Sequence, residues 1–264
     1  MRPGLGGGRR AGLGRTADVL LALTEADLRG RYGRGGWRLV KWLADPFALV
    51  GVYLVLVIFV LDRPGEAPGL SLACAVVPFQ LLMMSVVNGM SAVDHRRSIV
   101  LNMAFRRSLI PISSVLTESV AFGASLGLLV LMMGVYTVTP TAALLWLPVV
   151  LGVNVAVGVA LAYPASLVGL WFRDLRPFAI SVVRTLYFLA PGLVPLSEIP
   201  GRAADLVRAN PMTGLFESYR DVFLYGQSPS AWELLFPLGI AALVLAVFVP
   251  LYRMEQRQFA KVVD

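Results

Sequence analysis

The chain contains one histidine, His95, flanked by Arg96 and Arg97. An imidazole can serve as a general base near neutral pH. Beside two guanidiniums in a basic loop, however, it reads first as a solvated side chain. Charge inside apolar stretches is costly unless paired or wet, which singles out Glu118, seven residues past Pro111, and Arg184, seven past Pro177. At ~1.5 Å per residue both lie ~10 Å into their helices. We expect them to form an intramembrane ion pair, a buried clamp in preference to a substrate contact. Asp45, Glu118 and Asp174 are too scattered for one catalytic cavity.

Other motifs carry less. Gly4, Gly6, Gly7 and Gly8 begin like a dinucleotide fingerprint, but Arg9 stands where the third glycine belongs and no strand precedes them. The two lysines, Lys41 and Lys261, follow no phosphate loop. A single cysteine, Cys74, excludes an intramolecular disulfide and any multi-cysteine metal site. The expectation is a chain with no catalytic residue, no metal and no cofactor of its own. If ATP drives its work, a separate subunit must hydrolyse it.

The elements that position these residues follow from composition. Of 264 residues, 57% are hydrophobic and 15% charged, with a mean hydropathy of +0.74. Soluble domains carry about 45–50% apolar and about 25% charged residues. The fold class expected is an all-α integral membrane protein. The net charge of +7 does not imply nucleic acid, because the arginines cluster beside apolar runs, which is the topology signal of a membrane protein.

Residues 1–15 are small, basic and expected to be disordered, without the apolar core of a secretory signal. Residues 16–264 are expected to form one transmembrane domain. Residues 16–32 read as an amphipathic interface helix, with Val19, Leu20, Leu23, Ala26 and Leu28 opposite Asp18, Glu25, Asp27, Arg29 and Arg31. Six transmembrane helices are expected at about 42–61, 70–93, 112–136, 144–172, 178–196 and 234–252, each near the ~20 residues a bilayer requires. Residues 197–233 mix prolines with short apolar stretches and read as an outer re-entrant hairpin of two short helices. Eighteen Lys and Arg residues lie on one side against four on the other, which places both termini in the cytoplasm.

Within this plan 94–111, DHRRSIVLNMAFRRSLIP, is a basic cytoplasmic elbow that a soluble motor subunit could grip. Tyr53 and Phe59, Tyr187 and Phe188, and Phe216, Tyr219, Phe223 and Tyr225 could line a sugar path, although for each one helix packing is the commoner role.

Several stretches, in order, resemble the type-2 ABC exporter permeases of the polysaccharide family. They are TEADLRGRYGRGGWRLVKWLADPF at the entry, RRSIVLNMAFRRSLIPISSVL at the elbow, WFRDLRPF after the fourth span, NPMTGLFESYRDVFLYGQSP before the last, and RMEQRQFAKVV in the tail. The elbow departs from the family in having Phe105-Arg106-Arg107 where a Phe-Pro pair is frequent. The resemblance implies a homodimeric permease in the bacterial cytoplasmic membrane, bound to two copies of an ATPase subunit that holds ATP and Mg. The exported substrate would be a lipid-linked O-antigen, teichoic acid or cell-wall galactan. It further implies that Arg96, Arg97, Phe105, Arg106, Arg173, Asp174 and Arg176 face the ATPase. The channel would run between protomers along the first and fifth spans, with 197–233 as an outer gate. The alternatives are an ABC exporter of drugs or small lipids, and a membrane-embedded glycan transferase or scaffold. A secondary transporter should show inverted repeats, and none is evident.

Overall fold

A computed structural model describes residues 7–32, 44, 47–52, 55, 67–96 and 106–255, with side chains of the first helix described over 16–30. Among the described residues the helices include α1 (Gly7–Tyr32), α2 (Pro68–His95), α3 (Leu109–Val135), α4 (Leu147–Trp171), α5 (Arg176–Phe188), α6 (Gly201–Arg208), α7 (Pro211–Arg220) and α8 (Ala231–Glu255). Short 3₁₀ turns precede α4, α5 and α6, and a π-helical turn, Asp221–Tyr225, follows α7. No strand occurs among the described residues. Helix α1 begins at Gly7, within the segment expected to lack structure. The elbow residues Arg97 and Phe105 lie outside the described residues, as do Tyr53 and Phe59 and most of the expected first span.

Among the described residues, four segments are long and apolar enough to cross a membrane: Pro68–His95, Leu109–Val135, Ala142–Trp171 and Ala231–Glu255. They coincide with the expected second, third, fourth and sixth spans. Proline opens several helices, at Pro68, Pro148 and Pro177, where its missing N–H costs nothing and its φ is already helical. Helix α3 ends in a Schellman turn. The Val138 amide donates to Met133 O at 2.9 Å while Thr137 takes the left-handed φ of 55°.

The expected fifth span, 178–196, is not one continuous helix. Helix α5 stops at Phe188 after 13 residues, ~20 Å of rise against a bilayer core of ~30 Å. Pro191 supplies the reason, since it has no N–H to donate and biases Ala190 away from helix. The chain turns instead through residues 189–195.

Helix α2 is the hub, buried along most of its length and packed against α3, α4, α5 and α7. Apolar burial alone does not drive helix association in lipid, so close packing of small residues carries it. Gly89 faces Ala162 and Ala165, Gly158 faces Ser85, and Gly169 meets the Met90 backbone. A Cβ on Gly169 would lie 2.0 Å from Met90 O, so only glycine permits that approach. Helix α8 buries only Leu234, Pro237, Ala241 and Tyr252. Its remaining apolar surface suits lipid.

The chain runs back and forth between two ends. The start of α2 meets Tyr136, beyond the end of α3, where the Gly69 amide donates to Tyr136 Oη at 3.1 Å. The end of α2 meets Ser114, near the start of α3. Helices α4 and α8 run parallel to α2. Gly214 on α7 touches Glu233 at the start of α8, and the Tyr163 and Tyr252 rings pack edge to face near the ends of α4 and α8. Helix α1 and the end of α8 therefore lie at the same end, called here the Arg96 end. The opposite one is the Arg220 end.

Candidate functional site

At the Arg96 end, Asp94 sits in the last turn of α2, where a carboxylate opposes the helix dipole. Two arginines from the turn after α4 offset this. Arg173 donates to Asp94 Oδ1 at 3.1 Å and Arg176 to Asp94 Oδ2 at 2.6 Å. Arg176 Nη2 also approaches Met90 O at 3.4 Å and Gly169 O at 3.3 Å. It thus bridges a carbonyl of α2, one turn before its end, and a carbonyl in the last turn of α4, a bridge that depends on the Gly169 close approach. Arg173, Asp174 and Arg106 are exposed, as are Phe172, Leu175 and Phe178 around them.

Arg96 behaves differently from the expectation that it faces an ATPase. It is 2% exposed and turned inward, donating to Ser114 Oγ at 2.9 Å, to Ala92 O and to Asp27. Thr117 Oγ1 reaches the same Asp27 oxygen at 3.4 Å. The cause is the carboxylate of Asp27, placed in the sequence on the polar face of the interface helix. It enters the bundle and fixes α1 against α3. His95 is exposed at this end.

The expected Glu118–Arg184 pair does not form within the chain. Glu118 is buried and accepts from Asn88 Nδ2 at 2.7 Å, whereas Arg184 is exposed on α5. Besides Arg96–Asp27, a buried ion pair lies at the Arg220 end, on the i,i+3 spacing of α7. Arg220 Nη1 donates to Glu217 Oε1 at 2.6 Å, Arg220 Nε to Ser71 Oγ at 3.1 Å, and Glu217 Oε1 also accepts from the Leu196 amide at 3.1 Å. Arg220 is one of the four basic residues that the charge count places on the outer side. A Glu and an Arg three apart in a stretch otherwise apolar was the available signal.

Asn210 shows why the Asn-Pro motif matters. Its side chain caps α7 by accepting from the Met212 amide at 3.0 Å, and donates to Leu186 O near the end of α5 at 2.6 Å. Asn154, buried in the middle of α4, donates to Tyr219 Oη at 3.3 Å. Next to Arg220, burial and the neighbouring carboxylates of Glu233 and Glu217 push the Asp221 carboxyl up to about 7.

The aromatics divide. Tyr187, Phe216 and Tyr219 are each at most 1% exposed. Tyr187 packs on Phe79 and Phe216 at centroid distances of 4.4 and 5.7 Å, and Tyr219 on Phe122 and Phe223. These three form the core of the chain, because their faces are covered by other rings. Phe188 is exposed on α5. A groove of about 340 Å³ at the Arg96 end is lined by residues of α4 and α8, among them Pro164, Trp171 and Leu251, and by none of the expected path residues.

Long apolar helices with charge gathered at their ends define a multi-pass membrane protein. No family model matches the chain. It is 26% identical over 246 residues to the O-antigen export system permease protein RfbA of Myxococcus xanthus, covering 92% of this chain and 94% of that protein. It is likewise 26% identical over 217 residues to the O-antigen export system permease protein RfbA of Klebsiella pneumoniae, 81% of this chain and 83% of the relative. These relatives bear out the resemblance to polysaccharide-export permeases along almost the whole chain.

Proposed function

We propose that this chain is the membrane-spanning permease subunit of an ATP-driven ABC exporter that moves a lipid-linked polysaccharide across the bacterial cytoplasmic membrane. The observation that carries the reading is the match to named O-antigen export permeases over 92% of this chain. O-antigen is therefore the first substrate to test, with teichoic acid and cell-wall galactan as related glycans. The working unit is two copies of this chain with two copies of an ATPase subunit, which holds the ATP and Mg. The bias of basic residues supports an Arg96 end in the cytoplasm, with both termini there.

In this arrangement the exposed Arg106, Arg173 and Asp174, with Arg97 and Phe105 of the elbow, meet the ATPase. A displacement of the 173–176 turn would reach α2 and α4 at once, since Arg176 bonds to Asp94, Met90 and Gly169. The short α5, with Phe188 on its exposed face, lines the path with the first span of a second copy, and α6 and α7 form the outer gate. The test is genetic and chemical. Loss of the gene should cause undecorated cells and accumulation of lipid-linked glycan inside them, both restored by the parent chain and not by Arg173→Glu. Normal glycan at the surface of the deletion strain would refute the reading.

A further inference from the structure

The Arg220 end holds a charged group in an unusual place. Arg220 is 0% exposed, and its partner Glu217 retains 11%. Burying two charges is expensive unless the remaining donors and acceptors are satisfied. Here they are satisfied by three separate elements. Arg220 reaches Ser71 in the first turns of α2, Glu217 on its own helix, and, at the limit of hydrogen bonding, Gly192 O at 3.5 Å. Glu217 Oε1 adds the Leu196 amide. Gly192 and Leu196 bracket the turn that follows the interrupted α5. Within the described residues the backbone bonds of that turn are all local, spanning four residues or fewer, and none goes to α2. Gly192 also packs directly on the Tyr187 ring, where a Cβ would come within 2.8 Å.

We infer that Arg220 and Glu217 form a latch that fastens the 189–196 turn, which Pro191 diverts from α5, to α2. Arg220 is a positioning residue acting through Glu217 and the turn's backbone, with no contact to substrate required. The geometry of the latch is independent of what the protein carries. Only its consequence for glycan export rests on the permease reading above.

The test uses the full chain in membranes, with Cys74→Ala removing the native thiol and a cysteine placed at Ala190, buried within the turn. A second probe, Ser113→Cys, sits buried at the opposite end. Each is challenged with a membrane-permeant maleimide, which reaches both ends. Arg220→Gln should speed labelling of the 190 probe by at least about tenfold, the worth of one charge-assisted bond. The 113 probe should stay protected. Arg220→Lys, which keeps the charge but loses the fork geometry, should fall between. If Arg220→Gln does not reach the membrane folded, Glu217→Gln serves in its place with the same expected result. Unchanged labelling at 190 overturns the latch, and so does equal labelling of both probes, which would mean general loosening. Glycan export is scored separately. A labelling change without any export defect leaves the latch intact and counts against the gate role assigned to this end.

Discussion

At the Arg96 end, Asp94, Arg173 and Arg176 pair with side chains 29%, 58% and 32% exposed. At the other end of α2, about 40 Å away by helix rise, Arg220 and Glu217 pair at 0% and 11%. The first arrangement leaves guanidinium surface free for a soluble partner and tolerates rearrangement, because exposed pairs contribute little stability. The second cannot open without stranding a buried charge. The same chemistry is thus exposed at one end and buried at the other; under the proposed function the first serves contact and the second fixation. Arg96 and Asp27 add a buried pair inside the first end, so that the exposed clamp is mounted on a rigid base.

The sharpest way to break this contrast is to remove one partner of the buried pair. Glu217→Met should cost about 3–5 kcal/mol, and Glu217→Met with Arg220→Met should recover most of it, since an apolar pair replaces a buried ionic one without penalty. Thermal unfolding of the purified protein reads both. If the double variant is no better than the single, the pair is not the source of the cost. Next comes the seam that supports the exposed clamp. Gly169→Ala should cost about 1–3 kcal/mol through overpacking against Met90, and should separate the carbonyls that Arg176 bridges.

Arg173→Glu should move stability by less than about 1 kcal/mol, yet weaken retention of an ATPase partner at least about tenfold by opposing its charge. A large loss of stability there would erase the distinction between the ends. The smallest effect is the titration of Asp221. Its carboxyl is raised from 3.8 to about 7 by burial and by Glu233 and Glu217, so its protonated form favours the folded state. That contribution is full below about 4 and is lost as pH rises through about 7. A melting temperature that falls across this window, and a flatter profile in Asp221→Asn, are expected from scans at fixed ionic strength.

Hydropathy made the long helices legible, and ordered short motifs made the family resemblance legible before any coordinates. The break in α5 was not, although Pro191 and Gly192 were visible, because an average over 178–196 registers apolar content and not the missing N–H. Arg96 and Arg106 look alike in a basic elbow. Asp27, 69 residues away in sequence, and Ser114 on α3 draw Arg96 inward. Arg184 and Arg220 were misjudged in opposite directions. The first, inside an apolar run, faces outward from a short helix. The second, in the proline-containing connection before α8, finds Glu217 one turn earlier and goes inside. Loop counting treats every charge as solvated, and long-range partners decide which are not.

The most direct measurement is purification of the chain from native membranes, followed by ATPase assay of what accompanies it with and without lipid-linked glycan. The account predicts a stoichiometric nucleotide-hydrolysing partner, lost on Arg173→Glu, whose activity the glycan stimulates. A chain that purifies free of any ATPase, unaffected by that substitution, would contradict it.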